Sequence, residues 1–275
     1  MSAQFGGDQY IAGQKEPVID MPTRFVDFMR VLVPMAGDDT TPKGEQVNIY
    51  GNHVGSWNFA ATAYLNRWKV KIYYEHYFDD HSQMFFQYGR WKDGHIGLEI
   101  TFPKNRFIDT FVYEGLGTKD QTGPMLYDSF LGEFEEQISA KDNYYNHYLY
   151  QGWQHWGMGI GNPLLPGPIY NKNGQITFIS NRVLAHHIGF CGSPCQSLSY
   201  RMLLSYSRHW GTYDNPLNEI KKQFNSLFEV TYAPQQLKGW SFTVSGAMDR
   251  GNLLGNNYGG MLVIRKQGII KSGNK

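Results

Sequence analysis

Residues 57–78, WNFAATAYLNRWKVKIYYEHYF, decide the fold class. Read as extended chain, Trp57, Phe59, Ala61, Ala63 and Leu65 fall on one side and Asn58, Thr62 and Asn66 on the other, because side chains alternate across a strand. After a short Asn66-Arg67 turn, Val70, Ile72, Tyr74, His76 and Phe78 alternate with Lys69, Lys71, Tyr73, Glu75 and Tyr77. Two runs of period two joined by a short polar turn predict an antiparallel hairpin.

The same rhythm continues outward. Ile96, Leu98, Ile100 and Phe102 alternate with His95, Gly97, Glu99 and Thr101, a Pro103-Lys104-Asn105 turn follows, and a further strand is expected near Phe107 to Leu116. Gly117 to Lys141, with the acidic run Glu133, Glu135 and Glu136, reads as a long loop, with a short surface helix as the alternative. Strands are expected again over Gln175–Ser180, Arg182–Phe190, Leu198–Trp210, Gln223–Tyr232, Gly239–Arg250 and Tyr258–Lys266. Residues 1–23 read as a poorly structured lead. Arg24 to Val33 reads as a strand, with a short helix as the alternative.

This pattern gives about 10–12 strands, several near the ~10 residues of an outer-membrane strand and longer than the usual strands of sandwiches. Trp57, Trp68, Tyr77, Phe78, Trp210, Tyr232, Trp240 and Tyr258 gather at strand ends, as an interfacial girdle would. The expectation is therefore an all-β, antiparallel outer-membrane-type β-barrel, or a large part of one, in a single domain over residues 1–275. A large soluble sheet with aromatic rims is the alternative.

Composition narrows the function classes. The chain has 275 residues, a net charge of +1, 18% charged and 16% aromatic residues. The scatter of Lys and Arg leaves no basic stripe for nucleic acid. No apolar run reaches the ~20 residues of a membrane-spanning helix. Met1 to Asp20 lacks the basic start, apolar centre and cleavage site of a signal peptide. Cys191 and Cys195, in Cys-Gly-Ser-Pro-Cys, are open to either a short disulfide loop or two thiols.

The densest block of aromatic, amide and glycine residues is Asp142 to Leu165, DNYYNHYLYQGWQHWGMGIGNPLL. Read as extended, Gly157, Gly159 and Gly161 form a bare face opposite Trp156, Met158 and Ile160, which marks close approach of another backbone or a ligand. The Asn162-Pro163 to Pro168 stretch that follows cannot open a helix, so the glycines are no phosphate cradle.

Long segments are similar to a known family. NHVGSWNF (Asn52–Phe59), KIYYEHYFDDHSQMFFQ (Lys71–Gln87), the block from Asp142, NRVLAHHIGF (Asn181–Phe190), SYSRHWGTYDNPL (Ser205–Leu217) and LKGWSF (Leu237–Phe242) together resemble the Wzi-type capsule assembly proteins of Bacteroidetes. The resemblance runs from about Arg24 to Lys266 and suggests the C-terminal part of a family member, whose barrel has roughly eighteen strands. It implies an outer-membrane barrel without an active site, acting as a lectin-like anchor for capsular or extracellular polysaccharide in contact with outer-membrane lipid.

Sugar recognition needs aromatic faces for ring C–H surfaces and amide, carboxylate or Arg groups for hydroxyls. Tyr145, Asn146, His147, Trp153, Trp156 and Asn162 supply both kinds, and Arg208, Trp210, Tyr213 and Asp214 supply them again. A porin-like channel and a secreted glycan-processing protein are the rivals. For glycoside hydrolysis the candidate carboxylates are Glu75, Glu99 and Glu114 on successive strands. No catalytic residue is assigned, and no metal or other cofactor is expected: His186 and His187, being adjacent on a strand, point to opposite faces.

Overall fold

A computed structural model describes residues 2–9, 15–47, 49–79, 84, 93–105, 107–121 and 142–268. Most of the expected loop from 117, with its acidic run at Glu133 to Glu136, lies outside the described residues.

The hairpin forms where its alternation places it. β4 (Asn52–Leu65) and β5 (Trp68–Phe78) pair antiparallel from Gly55↔Phe78 to Leu65↔Trp68. The turn between them is closed by Asn66 at φ 57°, a left-handed conformation that Asn adopts more readily than most residues. β6 (Gly94–Thr101), β7 (Thr110–Gly117), β10 (Val183–Cys195), β11 (Leu198–Gly211), β12 (Pro216–Tyr232), β13 (Trp240–Gly251) and β14 (Asn257–Lys266) extend the sheet. With β1 (Ser2–Gln4) the order is β1-β4-β5-β6-β7-β10-β11-β12-β13-β14, antiparallel throughout. β2 (Gly7–Gln9) with β3 (Ile19–Met21), and β8 (Gln154–His155) with β9 (Met158–Gly159), form two small separate pairs.

The ten-stranded sheet is open, which corrects the expected barrel. Its edges are β1 and β14, and they do not pair with each other. β1 covers only Asn52 to Val54 of β4. A spanning barrel needs closure, because edge N–H and C=O groups have no partners in hydrocarbon. The expected outer-membrane placement and the porin-like alternative both rested on closure, and both fall with it. No described helix is long and apolar enough to cross a membrane.

Two further expectations change. Arg24 to Val33 is not a strand: Phe25–Leu32 form helix α1, followed by the short helix α2 at Lys43–Val47. The Asp27 carboxylate accepts the Arg24 backbone N–H at 2.9 Å, satisfying a donor that the first turn leaves orphaned. Asp27 also pairs with the Arg24 and Arg30 guanidinium groups at 2.9 and 3.0 Å. Gln175 to Ser180 is irregular and holds no strand. Its Phe178 is buried instead, with Leu116, Leu165, Val183 and Ala185, in the larger apolar cluster. A second cluster joins Met21, Val31, Tyr50 and Leu149.

Cys191 and Cys195 are both free thiols. They lie within β10 and not in a turn, on either side of an irregularity in pairing between Gly192 and Cys195.

Candidate functional site

The register sorts the strands into two unlike faces. Residues paired directly across strands share a face, so one row runs Tyr73, Gly97, Glu114, His187, Ser205, Asn225 and Asp249. The neighbouring row holds Asn58, Glu75, His95, Leu116, Ala185, Ser207 and Gln223. The opposite face carries Phe59, Tyr74 and Ile96 in one row, and Ile100, Phe111, Phe190, Met202 and Phe228 in another. One face is polar and the other apolar.

Residues 142–182 fold over one end of the polar face. The Asn146 side chain clamps this roof: its amide donates to Phe178 O at 2.8 Å and its oxygen accepts Phe178 N–H at 2.8 Å. Asn181 ties the roof to the segment before it, donating to Tyr144 O at 2.8 Å and accepting from the Gln121 amide at 3.0 Å. Tyr144 donates to the Asp93 carboxylate at 3.1 Å. The expected extended glycine face is not formed, because the chain reverses between β8 and β9 with Trp156 at φ 53° and Gly157 at φ 78°. The close approach those glycines suggested is present: a Cβ on Gly157 would lie 3.1 Å from the Ile169 nitrogen.

Between roof and sheet lies a cavity of about 1090 Å³. Its floor carries Glu75, His95, Glu114, His187, Ser205 and Asn225, and its roof contributes Tyr145, Trp153, Ile160, Asn162 and Leu164.

The centre of the floor is an imidazole between two carboxylates. His95 Nδ1 is 3.8 Å from Glu75 Oε2 and its Nε2 is 3.5 Å from Glu114 Oε1. The Glu75 carboxylate beside it raises the His95 pKa above its ordinary value, and the His95 imidazole in turn holds Glu75 below the usual carboxylate range. Ser56 donates to Glu75 at 2.6 Å. The Tyr73 hydroxyl donates to Glu114, crossing β6 over Gly97, where a Cβ would sit 2.0 Å from the Tyr73 ring. Glycine at 97 is what lets a tyrosine on one strand reach a glutamate two strands away. Burial raises the Tyr73 and Tyr77 pKa values, so both phenols stay protonated donors.

The floor continues beyond this centre. His187 Nδ1 and Ser205 Oγ share a hydrogen bond of 2.6 Å, and burial lowers the His187 pKa. His209, buried beside Ser207 at 2.9 Å, is pushed down to about 4 by desolvation. Asn225 donates to Asp249 at 2.7 Å. The described residues that line the cavity include no Lys or Arg.

The ten residues read from sequence as sugar contacts are not brought together. Tyr145, Trp153 and Asn162 line the cavity, where Asn162 N–H donates to the Tyr145 hydroxyl at 3.0 Å. Asn146 is spent on the Phe178 backbone. His147 packs on Tyr148 and lies 3.7 Å from buried Glu45, its pKa pushed down to about 4 by desolvation. Trp156 stands 86% exposed at the β8–β9 turn. Arg208 and Trp210 lie on the sheet's other face, alternating with buried Ser207 and His209, and stack at 5.4 Å. Tyr213 is covered by Arg182 at 3.9 Å and donates to Asp120 O at 3.2 Å. Asp214 is exposed in the turn after β11.

Of the carboxylates weighed for hydrolysis, Glu75 and Glu114 flank His95, whereas Glu99 pairs with Lys69 at 3.0 Å. His95 and Tyr73 carry the site without having been singled out. The available signal was Gly97, a bare position facing a tyrosine once the hairpin register is set. His186 meets Tyr113 at 2.8 Å on the apolar face while His187 faces the cavity. Among the described residues no group of three His, Cys, Asp or Glu is placed to hold a metal ion.

No family model matches the chain, and no curated protein or solved structure matches it either. The resemblance to Wzi-type capsule proteins of Bacteroidetes is therefore corrected on two counts: the shared short motifs are not accompanied by any match at the level of the chain, and the sheet is not the closed barrel that the resemblance implied.

Proposed function

We propose that the chain binds a short neutral or amino-sugar oligosaccharide in the roofed cavity, without cleaving it. The observation that carries the reading is the cavity's composition: a floor of carboxylate, imidazole, hydroxyl and amide groups faces a roof of Tyr145, Trp153 and apolar side chains. That pairing matches a polyol ring, with hydroxyls around its edge and apolar C–H faces above and below. Glu75, Asp79 and Glu114 line the cavity with no Lys or Arg beside them among the described residues. Like charge disfavours uronic or sulfated sugars there, and a protonated amino sugar would gain.

Calorimetric titration with glucosamine oligomers, neutral N-acetyl oligomers and galacturonate oligomers tests this reading. The expected result is saturable binding of one of the first two and none of the third. Glu114→Gln should weaken an amino-sugar ligand by roughly tenfold or more, because a charge-assisted hydrogen bond is worth about 1.5–3 kcal/mol. Absence of binding to all three, or preference for galacturonate, would overturn it.

Hydrolysis is the second reading, favoured by Glu75 and Glu114 on either side of His95. A glycosidase needs one carboxylic acid that keeps its proton near neutral pH. His95 holds Glu75 below the usual carboxylate range, which disfavours Glu75 as that acid. New reducing ends after prolonged incubation with a bound oligomer, lost in Glu114→Gln, would select this reading over simple binding.

A further inference from the structure

The unexplained feature of the molecule is the other side of the sheet. Phe59, Ile72, Ile96, Phe228, Val244 and Leu262 share that face and are each half exposed or more. Strand alternation places no Asp or Glu there among the described residues. Its cations are few: Arg208 and Lys222 sit opposite each other on β11 and β12, on the side of the sheet where β13 ends, with Arg250 next to that end, and Lys266 is the last residue of β14. The middle of the face is uncharged.

We propose that this face is the interface of a symmetric dimer, in which two copies of the chain stack sheet on sheet. Three observations choose a second copy. An amphipathic sheet reaches stability by placing its apolar side against another layer, and this chain sends its own roof to the polar side. The area is sufficient: nine strands about 4.8 Å apart, uncharged over about eight residues of 3.3 Å rise, give a face on the order of 1,000 Å². A stable interface needs about 800 Å² per partner. Finally, the edges of β14 and of β4 beyond Val54, which pair with no further strand among the described residues, keep their hydrogen bonds with water in a two-layer sandwich. They would lose them in hydrocarbon. Two such faces pack about 10 Å apart with strands nearly aligned.

Light scattering on the full chain, without detergent and over a dilution series, should give twice the 31.6 kDa chain mass. Phe228→Glu, at a half-exposed position of the face on β12, should shift the dissociation midpoint upward by at least a hundredfold. Its far-UV spectrum and oligosaccharide binding should stay unchanged, because Phe228 points away from the cavity. A spin label at Gly246→Cys, with Cys191 and Cys195 replaced by Ser, gives a measurement that keeps Phe228. A Cβ at Gly246 meets nothing within 4 Å, and the dimer should show a dipolar distance between its two labels. A detergent-free mass of 31.6 kDa, or a stable particle only with micelles or vesicles, would overturn the proposal. So would a dimer that survives Phe228→Glu, or one without dipolar coupling between the labels, since either places the contact elsewhere.

Discussion

The two faces of the ten-stranded sheet invert the usual arrangement of an amphipathic sheet in water. The side that carries Glu75, His95, Glu114, His187 and Ser205 is roofed by residues 142–182. The side that carries Phe59, Ile96, Phe228 and Leu262 is bare. Burial on the roofed side is held mainly by hydrogen bonds: Asn146 and Asn181 clamp backbone, Tyr73 reaches Glu114, and His187 meets Ser205. A polar interior of this kind is specific in geometry, since each buried group needs its partner. It is also a natural place for a polar ligand. The bare side has no such demand and asks only to be covered.

The largest expected effect comes from separating roof and floor. Phe178→Ala removes a fully buried ring from the cluster with Leu116, Leu165, Val183 and Ala185. It should cost about 3–5 kcal/mol, read from the urea midpoint. Amide exchange should accelerate first over 142–168, while β4 to β7 keep their protection. Uniform loss across the sheet would mean that roof and floor are one cooperative unit.

The acid limb of stability distinguishes the roofed face next. His209 is buried and pushed down to about 4. The unfolded chain takes up a proton near pH 6.5 and the folded one does not, so its contribution falls as pH drops below 6.5 and levels off near 4. His95 has the opposite sign: its raised pKa gives stability that is full below 6.5 and lost as pH rises through the folded value. Asp93, pushed up to about 6 by burial, gains stability as pH falls from 6 towards 3.8. The difference between wild type and His209→Gln isolates the first effect. The pH 7 to pH 4.5 loss should shrink by about 2–3 kcal/mol in the variant, and an unchanged loss would remove His209 from the account.

Matched glycine substitutions compare the faces directly. Gly97→Ala drives a methyl into the Tyr73 ring and should cost about 1–3 kcal/mol, with loss of the Tyr73–Glu114 bond. Gly246→Ala meets open space and should change stability by under about 1 kcal/mol. Smallest of all is Trp156→Asn, at the exposed β8–β9 turn with φ 53°. Asn suits that backbone better, so unfolding should become harder by roughly 0.5 kcal/mol.

How much of this was legible in the sequence follows from which interactions are local. The hairpin from Trp57 to Phe78 and the alternation of Tyr200 to Tyr206 state their own strands, because period two is written residue by residue. Closure is not local. Alternation and aromatic strand ends are the same in an open sheet and in a barrel, so they could not report that β1 and β14 stay apart. α1 was hidden because eight residues, six of them apolar, are too short and too uniformly apolar a run for a helical period to separate from a buried strand. The pairing of Asp27 with Arg30 at three-residue spacing is visible only once the helix exists. The roof was illegible for a related reason: its path is set by side chains bonding distant backbone, as Asn146 does to Phe178. Trp153 and Asn162, read from composition, line the cavity, whereas Arg208 and Trp210 lie on the sheet's other face, a parity that the sequence does not state.

The most direct test of the central claim is an indole and imidazole chemical-shift titration of the whole chain with the oligosaccharide that calorimetry selects. The account predicts that the Trp153 indole and the His95 imidazole move together and saturate, while Trp57, Trp68 and Trp210 hold still. Movement of Trp57, Trp68 or Trp210 with Trp153 and His95 unchanged would contradict it, and would place the ligand on the bare face of the sheet.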